Sequence, residues 1–376
     1  MIFSMVSSLP PTLAISEYTV DLLKEMDALS TGEVFAFNKI YPKFLYPGEI
    51  NDFTFKTPVF NNIDISSELN WNNPLGWINT GKKVSSPLVH LQWWSPPLAP
   101  MYYTIIKTAK QRGKKIIFTV HNILPHESKT SYKILTNMVM KQGDHYIVHS
   151  ENNMKELLET YKYIKKEKVS IIHHGIKQSE KLNYQNTRKR LGIFENHITI
   201  LFFGAIREYK GLDLLIKALN YVQKKHKKIF LIIAGKNWVD FKPYLDMLNQ
   251  YNLSDRTLLD IKMIPTEDIS LYFSAADLTI LPYKHFTSQS GVSSLAISYK
   301  LPIIVSDVGG LPDFAANDAV FKNGDINQLS NLITKFIENS EYREHLLNET
   351  VKKQEKYSYK KMAEMTIETY KTVLNK

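Results

Sequence analysis

The chain has 376 residues, of which 44% are hydrophobic and 22% charged; this predicts a globular protein of two domains and excludes a disordered one. It contains no cysteine, which excludes disulfides, thiolate metal sites and a cysteine nucleophile, and which fits a reducing compartment. Lysine and arginine total 47 against 37 for aspartate and glutamate, so the net charge of +10 favours partners that carry phosphate.

The apolar start of the sequence is expected to form a first strand and loop. It lacks a basic region and is interrupted by Pro10 and Pro11, which argues against a signal peptide. No stretch approaches the roughly 18 apolar residues that a membrane-spanning helix needs. We therefore expect a cytoplasmic protein.

The first half of the chain alternates short β-rich runs with amphipathic helical patterns. The predicted strands are Val89–Leu91, Ile116–Val120, Tyr146–Val148 and Val169–Ile172. The predicted helices are Met101–Arg112, Ser131–Lys141 and Asn152–Leu158. Such alternation is typical of a mainly parallel sheet with helices on both faces.

A basic segment of low hydrophobicity, Lys177–Glu195, is predicted to be a linker, and a second alternating series follows it. The predicted strands are Ile198–Ala205, Ile229–Gly235, Leu258–Ile261, Leu278–Leu281 and Ile303–Ser306. The predicted helices are Gly211–Tyr221, Pro243–Tyr251, Asp268–Ala276, Gly291–Tyr299, Ile326–Ser340 and Tyr359–Val373. The sequence therefore predicts two α/β halves of similar design.

The segment 204–211 combines a strand end with positive charge. Gly204 ends the strand, Arg207 and Lys210 follow, and a helix begins near Gly211. Since ligands of open α/β sheets bind beyond the carboxyl ends of strands, these residues could hold a phosphate. Taken alone, a solvated loop with two surface cations explains the segment about as well.

The segment 282–294 places serines and Gly291 at the start of an apolar helix. Backbone N–H groups and hydroxyls at such a position can bind an anion or a sugar. Helix capping alone would also explain the serines.

A third strand end delivers His121. A lone histidine is more often a core or capping residue than a catalytic one, and the same holds for the other histidines near strands: His90, His145, His149, His173 and His174. The sequence lacks HExxH, EF-hand, Walker A and GxGxxG motifs, so we expect no metal site and neither ordinary ATPase nor dinucleotide chemistry.

These segments, in this order, resemble the retaining glycosyltransferases of group 1 (family 4). The resemblance covers nearly the whole chain and is most specific in ILFFGAIREYKGLDLLIKAL and in LYFSAADLTILPYKHFTSQSGVSSLAISYKLPIIVSDVGGLPDF. It implies the GT-B fold, in which two Rossmann-like α/β domains face each other across a cleft. Residues 1–178 would bind the acceptor, with helix 357–376 packing back on them, and residues 179–356 would bind the donor.

The resemblance implies an enzyme that moves a sugar from a nucleotide-diphosphate sugar to an acceptor hydroxyl with retained anomeric configuration. It implies no metal and no cofactor, because the UDP- or GDP-sugar is a substrate. The acceptor would be a saccharide or a lipid-linked compound in polysaccharide, glycolipid or other glycoconjugate synthesis.

The resemblance also assigns site residues by position. Arg207 and Lys210 would bind the diphosphate and stabilise the leaving group, and His121 would lie near the donor sugar. Further donor contacts would come from Gly204, Met263, Ile264, Ser288, Gln289, Ser290, Gly291, Val292 and Ser293. Ser16 and Asn122 would lie on the acceptor side.

The sequence departs from the family pattern in three segments. The family usually carries two glutamates seven residues apart where Ser288 and Ala296 stand here, and its arginine usually follows the glycine directly, where Ala205 stands. The glycine pair often found in the family's first loop is replaced by Leu13, Ala14 and Ile15. These departures leave open an impaired nucleotide-sugar-binding protein, or a nucleotide-sugar epimerase or phosphorylase of the same fold.

Two basic clusters suggest further partners. A cluster of four lysines would suit an anionic membrane surface at the inner face of the membrane: Lys162, Lys165, Lys166 and Lys168. Trp93, Trp94, Tyr102 and Tyr103 could lie near such an interface, although ordinary core and rim packing also explains them. The run 224–228 superficially favours nucleic acid, but a solvated helix end explains it better. We expect no nucleic-acid partner.

Overall fold

The computed structural model describes residues 2–12, 15–41, 56–123, 130–194, 196–285 and 290–375. The chain divides into two compact units. Unit 1 comprises residues 1–175 and 359–376, and unit 2 comprises residues 176–358. Each unit is an α/β domain built on one parallel sheet.

Unit 1 contains a seven-stranded parallel sheet in the order β3-β2-β1-β4-β5-β6-β7. Its strands are β1 Ile2–Ser7, β2 Thr31–Lys39, β3 Ile63–Asn70, β4 Leu88–Trp93, β5 Lys115–Val120, β6 His145–Val148 and β7 Val169–Ile171. Its helices are α1 Ser16–Asp27, α2 Pro74–Lys83, α3 Ala99–Lys110, α4 Thr130–Met140, α5 Glu151–Thr160 and, from the end of the chain, α13 Tyr359–Leu374.

Helices cover both faces of the unit 1 sheet. One hydrophobic core packs the strands against α3, α4 and α5, and a second packs them against α1 and α13. Strands β4, β5 and β6 are buried along almost their whole length, as expected for a parallel sheet with two covered faces. Helix α13 thus returns the end of the chain to unit 1, where it packs on α1.

Unit 2 contains a six-stranded parallel sheet in the order β10-β9-β8-β11-β12-β13. Its strands are β8 Ile198–Phe203, β9 Ile229–Ala234, β10 Thr257–Asp260, β11 Leu278–Leu281, β12 Ile303–Ser306 and β13 Val320–Phe321. Its helices are α6 Tyr184–Arg190, α7 Leu212–Val222, α8 Lys242–Gln250, α9 Ile269–Ala275, α10 Gly291–Ser298, α11 Ile326–Glu338 and α12 Ser340–Lys356. This strand order is that of a Rossmann domain.

The prediction of a linker at 177–195 is wrong where α6 lies. Arg188 on α6 is only 1% exposed, and its guanidinium forms an ion pair of 3.2 Å with Asp277, which directly precedes β11. Asp277 also accepts hydrogen bonds from the Thr199 backbone N–H and the Tyr184 hydroxyl. The basic run is therefore a helix that packs on unit 2. Because it is rich in charged residues, the sequence did not indicate a buried contact there.

The strands predicted in both halves are confirmed to within one or two residues at each end, as are the predicted helices. The alternation did not reveal β2, β3, α2 or α12. Strand β3 lies at the edge of its sheet and is mostly polar, and α12 is a highly charged helix of 17 residues. Neither therefore carries the apolar period that marks a buried element.

Candidate functional site

The unit 2 sheet reverses its strand order between β8 and β11, and ligands of such sheets bind beyond the carboxyl ends of the strands at this point. The loops that follow β8 and β11 contact each other. Gly211, with φ +70°, packs so closely on the Pro282 carbonyl that a Cβ there would come within 1.9 Å of its oxygen. The Lys284 N–H donates to the Tyr209 carbonyl at 2.6 Å.

Three residues predicted to bind the donor meet at the end of β8. Gly204 has φ +93°, and a Cβ built on it would lie 3.1 Å from Lys210 Nζ and 3.2 Å from Val292 Cγ2. These residues come from the end of β8, the following loop and the first turn of α10. The fold therefore gathers a glycine, an ammonium and a helix N-terminus in one place.

Lys210 is buried, with 7% of its surface exposed. Its ammonium lies 5.5 Å from the centre of the Tyr283 ring, and within the described ranges no carboxylate approaches it within 4 Å. Burial, together with the positive charge of Arg207, lowers the pKa of Lys210 to about 8. A desolvated cation held without a carboxylate is suited to receive an anionic ligand.

Arg207 is exposed and lies at the start of a short 3₁₀ turn, residues 208–210. Its guanidinium carbon stands 5.1 Å from the centre of the Trp238 ring. No ion pair to a carboxylate forms at Arg207 in the part of the chain that the structure describes. Its charge is close enough to Lys210 to act on the pKa of that ammonium.

The N-terminus of α10 lies beside this cluster. Ser290 caps the helix, because its Oγ accepts the Ser293 N–H at 3.4 Å, and the Ser293 hydroxyl donates to the Ser290 carbonyl at 2.7 Å. Ser293 is fully buried, so its side chain serves the helix end and a contact of that hydroxyl with the donor stays a prediction. Gly291 is exposed, and a Cβ on it would meet open space. Ser288 and Gln289 lie outside the described residues.

The segment after β10 contains the two residues predicted to meet the nucleotide base. Met263 is 67% exposed, and Ile264 is half-buried against the core of unit 2. Ile264 thus fixes the segment, while the backbone beside Met263 stays accessible. Their contact with a base stays a prediction.

In unit 1, strand β5 delivers His121 to the carboxyl edge of the sheet. His121 Nε2 lies 2.8 Å from Oε1 of the fully buried Gln92, and its ring lies 4.7 Å from that of Tyr18. Burial lowers the pKa of His121 well below its usual value, and the neighbouring His149 acts in the same direction. The imidazole is therefore neutral and held by Gln92.

Sequence reasoning treated the other histidines as unrelated core residues, but His149 and His174 pack around Tyr18 with ring centres 5.6 and 5.0 Å from it. Sequence reasoning also missed Gln92 and Tyr18. The alternation of side chains along a strand could have indicated Gln92. His90 and Gln92 lie on the same face of β4. They contact Thr119 of β5 and His121, which directly follows β5.

The two residues predicted on the acceptor side lie near the same edge of unit 1. Ser16 is fully buried at the first position of α1. The Asn122 amide donates to the Trp94 carbonyl at 2.8 Å. Both side chains are thus placed by the fold, and their contact with an acceptor stays a prediction.

Within the described ranges, the structure shows neither a metal-binding cluster nor a membrane-spanning helix. No three histidine, aspartate or glutamate side chains come close enough together there to hold a metal ion. Of the helices found there, none combines the length and the apolar character needed to cross a membrane.

Two family profiles match the sequence. The profile described as "Glycosyltransferase Family 4" matches residues 64–180, and that described as "Glycosyl transferases group 1" matches residues 183–353. The first match lies almost entirely in unit 1, and the second lies within unit 2 and contains the site around Lys210. Together they cover most of the chain.

Curated relatives share this resemblance at low identity. An uncharacterized glycosyltransferase of Methanocaldococcus jannaschii is 26% identical over 227 residues, which is 55% of each chain. A D-inositol 3-phosphate glycosyltransferase of Thermobifida fusca is 24% identical over 42% of this chain and 38% of its own. The chain spans about half the length, or less, of these curated relatives.

Solved structures share the fold along the whole chain. A glycosyltransferase of Rickettsia africae has a TM-score of 0.66 and 17% identity, covering 99% of this chain and 98% of its own. The Anabaena protein HepE, in complex with UDP, has a TM-score of 0.64 and 14% identity, covering 99% of both chains. With two Rossmann-like parallel-sheet domains and matches to both family profiles, the chain belongs to the group 1 (family 4) glycosyltransferases of GT-B fold.

Proposed function

We propose that this protein transfers a sugar from a nucleotide-diphosphate sugar to an acceptor hydroxyl. The observation that carries the proposal is the buried ammonium of Lys210. It lies beside Gly204 and the first turn of α10, at the point in the unit 2 sheet where ligands bind, and it has no carboxylate partner among the described residues. A diphosphate supplies the negative charge that this position lacks.

The chemistry follows from where charge develops. As the bond between the sugar and the diphosphate breaks, negative charge grows on the leaving phosphate oxygen. Arg207 and Lys210 would stabilise that charge, as preorganised cations do in a water-poor site, and we propose that no metal is needed. The proposed reaction retains the anomeric configuration: the acceptor hydroxyl attacks from the face that the diphosphate leaves, and a leaving phosphate oxygen takes the acceptor proton.

The nucleotide of the donor is proposed to be UDP, with GDP as the second candidate. The support is that HepE, which shares the fold, was solved with UDP and with UDP-glucose. The backbone around Met263 and Ile264 would meet the base. The first-turn N–H groups of Gly291 and Val292 would meet phosphate and sugar.

Unit 1 is proposed to bind the acceptor, a saccharide or a lipid-linked compound, near Ser16 and Asn122, with His121 near the donor sugar. Because its pKa is lowered, the His121 imidazole would be neutral and could exchange hydrogen bonds with sugar hydroxyls. We propose that the reaction belongs to polysaccharide, glycolipid or other glycoconjugate synthesis in the cytoplasm.

We further propose a peripheral association with anionic membranes. Four lysines that precede β7 are exposed: Lys162, Lys165, Lys166 and Lys168. Binding to phosphatidylserine vesicles at low salt that is lost at moderate salt would support this mode. Absence of binding at low salt would contradict it.

The function is tested by incubating the protein with UDP-glucose and a panel of saccharide and lipid-linked acceptors. We expect UDP release that depends on acceptor, and a product whose anomeric configuration, read by NMR, matches the donor. The Arg207→Ala variant should lose at least about tenfold in kcat, because it removes charge stabilisation in the transition state, while Lys225→Gln, at an exposed lysine beyond α7, should match the wild type.

The same assay separates the alternatives. A donor isomerised without acceptor would identify an epimerase. Binding of UDP and GDP without turnover of any donor would identify an impaired binding protein. Either outcome contradicts the proposed transfer.

A further inference from the structure

The carboxyl edge of the unit 2 sheet carries a third cation that the family resemblance does not assign. Lys236 follows β9 directly after Gly235, and its ammonium lies 4.7 Å from the centre of the Trp238 ring. Arg207 lies 5.1 Å from the same ring centre. One exposed indole therefore contacts two cations, each of which comes from a different strand end.

Backbone contacts fix this arrangement. The Ile206 N–H donates to the Lys236 carbonyl at 2.8 Å, and the Trp238 N–H donates to the Ile206 carbonyl at 3.1 Å. Gly235, with φ +147°, packs on the Gly204 carbonyl so closely that a Cβ would come within 2.0 Å of its oxygen. Lys236 is thereby fixed beside Ala205, the position at which the family pattern has its arginine.

Two other lysines at this edge have carboxylate partners. Lys284 pairs with Asp213 at 2.8 Å, and Lys262 pairs with Asp260 at 3.1 Å. Arg207, Lys210 and Lys236 have no such pair within the ranges that the structure describes. Three cations without a carboxylate partner thus lie together around Gly204 and Trp238.

Trp238 is 55% exposed, although a large aromatic side chain at a surface usually gains from burial. The face of an indole attracts cations, and a guanidinium or ammonium held there loses fewer conformations when it later binds an anion. This gives the exposed indole a physical role at the edge where the diphosphate is proposed to bind.

We propose that Lys236 is a third diphosphate-binding cation, which supplies the charge missing at Ala205, and that Trp238 is a positioning residue that holds Lys236 and Arg207 toward the ligand. The inference rests on the proposed function, because it names further residues of the same donor site. It adds a binding residue from the loop after β9, a segment to which the resemblance assigns no donor contact.

The test is isothermal titration of the full-length protein with UDP, and with uridine as the ligand that lacks phosphate. The Lys236→Gln variant should weaken UDP binding about tenfold and leave uridine binding unchanged, because a charge-assisted contact to phosphate is lost. Lys236→Arg should restore most of the affinity. Lys322→Gln is the matched control, since that exposed lysine follows β13 at the same edge of the sheet, three strands away from β8, and it should stay within about twofold.

Trp238 is tested with two variants that differ in whether a ring face remains. Trp238→Leu should weaken UDP binding about fivefold, and Trp238→Phe should retain most of the affinity. In the wild type, UDP should change a tryptophan emission signal that Trp238→Phe removes. A purely structural role would not give a signal that responds to UDP and disappears with this one ring.

The outcomes separate the two claims. If the wild type binds UDP or GDP and Lys236→Gln binds it equally well, the inference is overturned while the proposed function stands. If the wild type binds neither nucleotide, the proposed function fails and the inference fails with it. If Lys236→Gln weakens uridine as much as UDP, the lysine supports the fold and the inference is again overturned.

Discussion

At the scale of single residues, Lys210 is the central residue of the donor site. The fold buries its ammonium between Gly204 and Tyr283 and provides no carboxylate for it among the residues described. Such a group lowers the stability of the ligand-free protein, because water is removed without a compensating charge. Functional sites often carry this kind of cost.

The Lys210→Met variant should therefore be more stable than the wild type. Because the pKa of Lys210 is lowered to about 8, the folded protein holds the charged form at a cost of about 1–3 kcal/mol at pH 7. This cost falls as the pH rises through 8 toward about 10.4, the pKa of a lysine in the unfolded chain. Urea unfolding at pH 7 and pH 10 measures it.

The control for this prediction is Lys225→Met, which replaces an exposed lysine of the same unit. It should change the free energy of unfolding by less than about 0.5 kcal/mol at either pH. A Lys210→Met variant less stable than the wild type at pH 7 would contradict the account.

Two glycines at the site are predicted to respond differently to alanine. Gly204→Ala forces a side chain into φ +93° and against Lys210 Nζ and Val292, so it should destabilise unit 2 by about 1–3 kcal/mol. Gly291→Ala meets open space and should leave the free energy of unfolding within about 0.5 kcal/mol. Denaturant unfolding of both variants measures the difference. Equal effects would show that Gly204 is not packed as described.

At the scale of elements, strands β4, β5 and β6 of unit 1 place buried imidazoles side by side. Burial lowers the pKa of His90 to about 3 and that of His149 to about 4, and it lowers that of His121 well below its usual value. These histidines bind protons in the unfolded chain near pH 6.5 but not in the fold. The strands therefore make the folded unit sensitive to acid.

The free energy of unfolding of unit 1 should fall as the pH drops below 6.5. Each of the three imidazoles contributes up to about 1.4 kcal/mol per pH unit, because the unfolded state gains protons that the folded state does not bind. Four of the five tryptophans, Trp71, Trp77, Trp93 and Trp94, lie in unit 1, so urea unfolding followed by their fluorescence reports it. Replacing His90 by Gln should reduce the slope by about a third. A free energy independent of pH between 6.5 and 4.5 would contradict the account.

Helix α6 is held to the sheet of unit 2 by the Arg188–Asp277 ion pair. Arg188→Met removes the cation and leaves Asp277, among the described residues, with the Thr199 N–H and the Tyr184 hydroxyl as partners, so unit 2 should lose about 3 kcal/mol. Lys189→Met, at the exposed neighbouring position, should lose less than about 0.5 kcal/mol. Thermal unfolding compares the two. Similar losses in both variants would show that the pair does not anchor α6.

The elements that sequence patterns predicted are those with a covered apolar face. Strands β8 and β9 are continuous apolar runs and were predicted almost to the residue. The mostly polar edge strand β3 and the charged helix α12 were missed, and α6 was mistaken for a linker. In each case the apolar period was weak, because few side chains of the element are buried.

At the scale of the whole molecule, the donor-binding cluster could be predicted only in part. The sequence showed that Gly204, Arg207 and Lys210 lie close together in one loop. The fold brings Gly204 and Lys210 together with Val292. The sequence could not show that Lys210 is buried or that Arg207 contacts Trp238, because both depend on side chains from segments far apart in sequence.

The net charge of +10 fits this picture but does not locate a site. Most lysines are exposed and solvated, and several pair with carboxylates at the surface, where such pairs contribute little. What distinguishes the cations at the carboxyl edge of unit 2 is where they are held, not how many there are. The proposed diphosphate site is therefore inferred from the positions of these cations and not from the net charge.

The most direct test of the central claim is isothermal titration of the protein with UDP at pH 6 and pH 8, each in two buffers that differ in ionisation enthalpy. Because an anion bound at Lys210 raises a pKa that lies near 8, we predict uptake of about half a proton at pH 8. At pH 6 Lys210 contributes almost no uptake, and the terminal phosphate of UDP, whose second pKa is about 6, instead releases protons on binding. Lys210→Met should abolish the uptake and weaken binding at least tenfold, whereas Lys225→Met should match the wild type. UDP binding without proton uptake at pH 8, or with equal affinity in Lys210→Met, would contradict the claim that this ammonium receives the diphosphate.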